Sequence, residues 1–363
     1  MEAIKIYFGI FGYLFLFLIT FMILLGKSSK KLPVKKKYSF DKFIAVIPAH
    51  NEERVISNSI LSCERAGFDK VIVILDSCTD GTPTIASKLG CDTIVTDLKS
   101  KGKSLTYAIP LITKQYGENS FYMIFDADNV VDEDYVRKVK EYVETYPLIQ
   151  TNLYNLNTSG IIPRMYIIMD AIYLRIQKAL TLLGISSIIS GYGWGAYGWV
   201  FSRYKFECSS VLEDFEYTVK IPLKVVFISD ATVRDEKPTE FLPSFRQRLR
   251  WYRGYFYTVF KEKGAAKNVF TVPLILVSAL GILSFLISLP EPLYLSIPLV
   301  VFAIHTFIFL LSLNKMELKD VKRFDIFLMF FFNMTNLYAI LLAMFTSNKT
   351  DWTKTSHVYK ANI

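Results

Sequence analysis

Apolar and polar positions follow two different rhythms along this chain. Four stretches run long and almost free of charge: Ile6 to Gly26, Val269 to Leu289, Leu293 to Leu313 and Ile326 to Ser347. Each meets the roughly 20 apolar residues that a bilayer-crossing helix needs. From Lys42 onward, between the first and second stretch, apolar runs are short and alternate with helical patterns, as a parallel sheet with crossover helices requires. The predicted strands are Phe43 to Ile47, Val71 to Leu75, Thr93 to Val95 and Tyr122 to Phe125; predicted helices include Glu53 to Ala66 and Pro83 to Leu89. A further apolar stretch, Ile161 to Ile185, is broken by Arg164, Asp170, Arg175 and Lys178. It reads as an amphipathic helix in a bilayer interface, with a plain core helix as the alternative.

Composition strengthens the membrane reading. With 52% hydrophobic residues, 15% aromatics and a mean hydropathy of +0.31, the chain is too apolar for a pair of soluble domains. The first stretch is expected to be an anchor, because its apolar core exceeds the roughly 7–15 residues of a signal peptide and lysines follow it. Lys27, Lys30, Lys31, Lys35, Lys36 and Lys37 lie after that stretch, and Lys315, Lys319, Lys322 and Arg323 lie between the last two. Both loops should be cytoplasmic, and the turn Pro290, Glu291, Pro292 external. The net charge of +9 is thus a matter of topology and anionic lipid headgroups rather than of nucleic acid. Lys349, Lys354 and Lys360 conflict with a tail left outside by three spans after the cytoplasmic part. A re-entrant or interfacial path for the last stretch, marked by Asn333, Thr335 and Asn336, would remove the conflict. The expected division is an anchor over 1–26, a cytoplasmic domain over 38–264, membrane helices over 269–347 and a tail over 348–363. Within the cytoplasmic domain, interfacial helices are expected at about 161–185 and 243–262. Cys63, Cys78, Cys91 and Cys208 form no CxxC pair and read as reduced structural thiols.

The chemistry lies where strands end. Pro48 to Glu53 follows the first strand, Asp76 to Thr82 the second, and Asp126, Ala127, Asp128 the fourth. In a doubly wound sheet these ends line one ligand-binding crevice. Carboxylates at i and i+2 after an apolar strand can aim at a hard cation whose other ligands are diphosphate oxygens and water. Asp80 and Thr82 read as helix-starting residues, and Asp76 as a contact to nucleotide. Lys101, Gly102, Lys103, Ser104 imitates the end of a P-loop, but Asp97 stands where its first glycine belongs. A lysine near a diphosphate is still chemically apt, since an ammonium neutralises a charged leaving group. Gly193, Gly195 and Gly198 have dinucleotide-motif spacing in the wrong place. With Tyr192, Trp194, Tyr197 and Trp199 interleaved, a sugar-stacking or membrane-edge loop suits them better.

In this order the motifs resemble the membrane members of glycosyltransferase family 2, the group of cellulose, chitin and hyaluronan synthases and ceramide glucosyltransferase. The likeness runs from about Phe43 to Gly254. It implies an α/β GT-A (Rossmann-like) catalytic domain with a mostly parallel sheet, joined to transmembrane and interfacial helices. It further implies an inverting, metal-dependent transfer from a nucleotide-sugar, with UDP-sugar expected and Mg²⁺ or Mn²⁺ as cofactor. By the same resemblance Pro48, Asn51, Glu52, Asp76, Lys103, Asp126, Asp128 and Arg250 bind donor, and Asp128 also holds the metal. Glu213 and Asp214 match the "ED" motif, whose aspartate is the general base, and Gln247, Arg250 and Trp251 match QxxRW. Arg246, Arg248, Arg250 and Arg253 would by themselves also make a basic amphipathic helix at the headgroups. Glu213, Gln247, Trp251 and Trp199 are expected to face the acceptor. A growing polysaccharide is the preferred acceptor, and a lipid such as ceramide or a polyprenyl phosphate the alternative. A non-catalytic sugar or nucleotide receptor is a weaker alternative, since Asp214 is present. Four spans are fewer than polymer-secreting synthases carry, which favours a lipid unless the protein is a homo-oligomer.

Overall fold

The structure is a computed structural model that describes residues 2–262 and 297–347. The expected span Val269 to Leu289, the external turn at Glu291 and the tail lie outside the described residues. The first half of the catalytic region is built by the short apolar runs. Strands β1 (Phe43–Ala49), β2 (Lys70–Asp76), β3 (Asp92–Thr96) and β4 (Phe121–Ile124) form where expected, each one or two residues from its predicted ends. Helices α2 (Ile56–Ala66), α3 (Thr82–Lys88) and α4 (Lys101–Tyr116) are the crossovers. Every residue of β1 is buried, as befits a central strand covered on both faces. Phe43 stacks on Phe121 and on Phe68 with ring centroids 5.6 and 5.1 Å apart, and each such buried side chain contributes roughly 1.5–3 kcal/mol.

The second half completes one sheet. With β5 (Val130–Val131), β6 (Leu148–Asn155), β7 (Trp194–Tyr197) and β8 (Val226–Asp235), the eight strands run in the order β3-β2-β1-β4-β7-β6-β8-β5. Strands β1 to β4 are mutually parallel, β7 is antiparallel to both its neighbours, and β6 and β8 are parallel. The chain leaves β1 towards β2 on one side and returns as β4 on the other. The switch point therefore falls between β1 and β4, where a ligand crevice is expected. Helix α5 (Tyr135–Val143) follows β5, and the short helices α7 (Gly198–Arg203) and α8 (Glu213–Lys220) follow β7.

The remaining helices are apolar or amphipathic: α1 (Glu2–Lys27), α6 (Ile161–Leu182), α9 (Phe241–Lys261), α10 (Ile297–Ser312), α11 (Glu317–Asp320) and α12 (Arg323–Phe345). Among the described residues, α12 is the helix long and apolar enough to cross a membrane, and α1 carries a shorter apolar portion, Gly12–Lys27. Both stretches expected to be interfacial are helical, as α6 and α9. The charges that interrupt α6 each have a partner. Arg164 grips Asp325 with two bonds of 2.6 and 3.0 Å, and Arg175 grips Glu317 at 2.9 and 3.0 Å. Lys178 donates to the Ser28 carbonyl at 2.9 Å, and Asp170 lies 3.2 Å from Lys237.

Asn333, Thr335 and Asn336 do not break α12, which is continuous over 23 residues. Thr335 and Asn336 accept bonds from the fully buried guanidinium of Arg248 on α9, which also sits 3.9 Å above the Phe332 ring.

Candidate active site

The loops after β1 and β2 are tied together by short polar side chains. Asn51 has a left-handed backbone, φ 57°, which asparagine tolerates. Its Oδ1 accepts from the Thr79 amide at 2.7 Å and the Thr79 hydroxyl at 3.3 Å. The Glu52 amide donates to Thr82 Oγ1 at 2.7 Å, and Asp80 Oδ1 accepts from the Thr82 amide at 3.0 Å. Asp80 and Thr82 therefore start α3 and hold the crossing loop. Pro48 is buried inside β1, opposite Ile74 in register.

Asp76 closes β2 and orders the next loop. Its Oδ1 accepts from the Leu98 and Lys99 amides at 2.8 and 3.1 Å, and its Oδ2 from the Ser100 amide at 2.8 Å. Burial alone would make it a weaker acid, but these bonds outweigh that and hold the carboxyl below its usual range. The buried carboxylate fixes the start of α4, and through it the next residue of interest.

That residue is Lys101. Its ammonium reaches Asp126 Oδ1 at 2.5 Å, Glu213 Oε1 at 2.9 Å and the Gly191 carbonyl at 3.4 Å. Burial would lower its basicity, yet Asp126, Glu213 and Asp214 outweigh it and hold the ammonium well above its usual range. The approach of α4 to α8 depends on Gly102, where a Cβ would stand 3.0 Å from Glu213 Cβ and 3.2 Å from the Cys208 carbonyl. Lys103 is exposed. Two positions further along a helix is a rotation of about 200°, so it faces away from the cluster. The lysine that the structure brings into the acidic cluster is Lys101, two positions before the expected Lys103.

Asp126 and Asp128 lie on a turn held by Asn129, which accepts from the Asp126 amide at 2.9 Å and donates to Asp128 Oδ1 at 3.3 Å. Opposite them is Asp214, buried in the first turn of α8 with the Phe215 amide 2.8 Å from its Oδ1. Burial, reinforced by Glu213, pushes Asp214 up to about 7, against the pull of Lys101. Arg250 closes the group from α9. Its Nε is buried without a hydrogen-bond partner. Burial lowers its basicity, while Glu213, Asp126 and Asp214 draw it back. Gly191 leaves the space between these groups: a Cβ there would stand 3.0 Å from Asp126 Oδ2, 3.3 Å from Lys101 Nζ and 3.7 Å from Asp214 Oδ2.

The family model "Glycosyltransferase like family 2" matches residues 41–254, which takes in every strand of the sheet and every group just named. The chain belongs to that family. Its glycosyltransferase fold is shared by a mannosyltransferase from Pyrobaculum calidifontis in complex with GDP-Man and Mn²⁺, with a TM-score of 0.63 and 15% identity over 96% of this chain and 98% of the other. A glucosyl-3-phosphoglycerate synthase from Mycobacterium tuberculosis is similar at a TM-score of 0.40 and 16% identity, over 54% of this chain and 72% of its own. No curated protein matches this chain. The family 2 enzyme thus has the GT-A architecture, with its acidic crevice at the switch point of the sheet.

Of the four residues expected to face the acceptor, the structure places Trp199 away from the crevice. Trp199 packs on Tyr197 and Tyr38, with centroids 6.3 and 6.0 Å away, and its amide bonds the Glu118 carbonyl. This is the end of the sheet where β4 begins, opposite the crevice, so Trp199 is a packing residue. Trp194 and Tyr197 are buried in β7, so the glycine-aromatic run is sheet core rather than a sugar-stacking loop. Glu213 is buried and spends its carboxylate on Lys101. Gln247 accepts from the Tyr166 hydroxyl at 3.1 Å, and Trp251 meets the Tyr166 ring edge-on at 6.4 Å, so both lie against α6. Lys101 and Gly191 were not singled out by motif spacing. The run Lys101 to Ser104 signalled a lysine without deciding its phase, and Gly191 carries no sequence signal apart from its neighbours.

Proposed function

We propose that this glycosyltransferase is anchored in a membrane and moves a sugar from a nucleotide-sugar to a saccharide hydroxyl with inversion at the anomeric carbon. The observation that carries this is Asp214: a buried carboxylate poised at about 7, across a small gap from Asp126 and Lys101. A base poised near the working pH is what proton abstraction from a hydroxyl needs. Asp214 takes the proton of the acceptor hydroxyl as its oxygen bonds to the anomeric carbon and the bond from that carbon to the diphosphate breaks. The sugar passes through a state with oxocarbenium character. Arg250, with an unpartnered Nε, and Lys101 present fixed positive charge to the departing nucleoside diphosphate.

The residues fit a divalent cation. Asp126 and Asp128 offer hard oxygens, and Gly191 leaves room beside them. Among the described residues no three acidic, histidine or cysteine side chains form a metal cage, so Asp128 would hold the ion together with the donor's diphosphate. When bound, Mg²⁺ or Mn²⁺ supplies neutralising charge to the leaving group.

A lipid-borne acceptor is favoured by one further observation: Trp251, next to Arg250, packs in a cluster with Met165 and Tyr166 of α6 and Phe332 of α12. The acceptor side of the site therefore abuts the apolar helices. The test is turnover of a panel of UDP- and GDP-sugars by the purified full chain, with and without EDTA. Consumption of one donor, lost with EDTA and restored by Mg²⁺ or Mn²⁺, is expected. Donor consumption that ignores EDTA would remove the metal, and equal rates for the wild type and Asp214→Asn would remove the base.

A further inference from the structure

Where the first apolar helix ends, the chain is held over a pocket that the mechanism above does not use. Helices α1 and α6 meet backbone to backbone at Gly26, where an added Cβ would collide with the Arg175 carbonyl. Lys27 closes α1 and donates to the Leu311 and Leu313 carbonyls at 2.9 and 2.8 Å, where α10 ends. Two apolar helices thus end side by side, as helices do at the polar edge of a bilayer.

The residues that follow are pinned at two points. Lys178 on α6 donates to the Ser28 carbonyl at 2.9 Å, and the Tyr146 hydroxyl donates to the Pro33 carbonyl at 2.6 Å. Between these clamps, Lys30 and Lys31 join Lys178 around a pocket of about 180 Å³, far more than the roughly 10–15 Å³ that one water needs. Leu182 and Phe227 give it apolar walls, and Asp230 lines it as well. The Asp230 carboxylate is engaged by neutral donors, the Tyr142 hydroxyl at 2.7 Å and the Ser229 hydroxyl at 2.9 Å. Among the described residues no carboxylate comes within ion-pair distance of Lys30, Lys31 or Lys178, whereas Lys36 pairs with Glu144 at 3.1 Å. Three cations therefore face one carboxylate. Burial also draws the basicity of half-buried Lys178 down against the pull of Asp230, a cost that an anion in the pocket would offset. The pocket shares no lining residue with the crevice, and β8 lies three strands across the sheet from β4, about 14 Å at the usual spacing. The diphosphate of the donor is not its ligand.

We propose that this pocket binds the phosphate of an anionic phospholipid from the surrounding bilayer, with Lys178 meeting it from within and Lys30 and Lys31 at the mouth. This rests on the membrane-anchored reading above and adds a lipid site to it. Ammonium groups are donors without acceptors, as a phosphate requires, and the apolar walls suit the glycerol and first acyl carbons. A position beside the ends of two apolar helices favours a lipid over a soluble phosphate, since basic pockets at that level hold lipid headgroups.

The experiment uses the purified full chain in maltoside micelles, titrated with dioleoyl phosphatidylglycerol, dioleoyl phosphatidylcholine or inorganic phosphate. Native mass spectrometry counts retained lipid, and the rise in melting temperature gives affinity. Phosphatidylglycerol should bind about fivefold or more tightly than phosphatidylcholine. Lys178→Gln, and the pair Lys30→Gln with Lys31→Gln, should each weaken it by about fivefold or more. Lys30 and Lys31 are exposed, so their variant keeps the test open even if Lys178→Gln does not fold. A control pair outside the pocket, Lys35→Gln with Lys36→Gln, removes the same charge as the Lys30 and Lys31 pair and should change affinity less than about twofold. Pocket variants that bind like the wild type, or an equal loss in the control pair, would overturn the site. Stabilisation by inorganic phosphate that matches phosphatidylglycerol would overturn the lipid as its occupant. A chain released from cell membranes by alkaline carbonate alone would instead overturn the anchored reading beneath it.

Discussion

Asp214 and Glu213 are adjacent in sequence and similar in chemistry, and their surroundings give them different tasks. Glu213 is neutralised by Lys101, whereas Asp214 is buried beside that pair and pushed up to about 7. A base must be ionised to accept a proton, so transfer should rise with pH through a limb near that value. Glu213→Gln removes the like charge that helps raise Asp214, and a pH–rate profile of that variant should show the limb moved to lower pH. The same shift has a stability consequence. A folded carboxyl raised above its unfolded value binds extra protons between about pH 4 and 7, so its contribution to stability is lost as pH rises through that window. Asp214→Asn keeps the shape and removes the basicity; transfer should fall about 10²–10⁴-fold, with donor affinity measured by calorimetry retained.

The strands and helices of the catalytic region were legible because their signals are local. Short apolar runs bounded by polar motifs give β1 to β4, and the carboxylates of Asp76, Asp126 and Asp128 fall at strand ends by sequence position alone. The apolar helices were legible as segments but not as partners. Nothing near Arg164 in sequence reveals that it grips Asp325, 161 residues away. Removing one member leaves the other buried and unpaired, so Asp325→Ala should cost about 3–5 kcal/mol. The paired change Arg164→Leu with Asp325→Leu should recover most of that. Thermal unfolding in detergent checks both, and equal losses in the single and paired variants would dissolve the coupling. Arg248 follows the same logic with neutral partners, since Arg248→Ala strands Asn336 inside the contact between α9 and α12.

At the scale of the whole molecule, the catalytic sheet rests on apolar helices through α6 and α9. Arg250 of α9 stands at the crevice, and Trp251 beside it packs on Tyr166 of α6. The lysine-rich loops predict that this face is cytoplasmic. A cysteine introduced at Glu291 should react with an impermeant maleimide in intact cells, while one introduced at Lys36 should react only after lysis. The reverse pattern would invert the orientation and the source of donor.

The sequence by itself determined the parallel strands β1 to β4, the acidic motifs at their ends and the family, because each depends on residue types at short, fixed spacing. Tertiary structure decided which of two neighbouring lysines enters the site, since Lys101 and Lys103 differ only in helical phase. It decided that Trp199 serves packing, since motif spacing does not say at which end of a sheet a side chain lies. It also brought Lys237 to Asp170 and Asp235, although Asp170 and Lys237 come from distant segments. Burial and net charge at a point are sums over everything packed around it, and those neighbours are chosen by the fold rather than by adjacency along the chain.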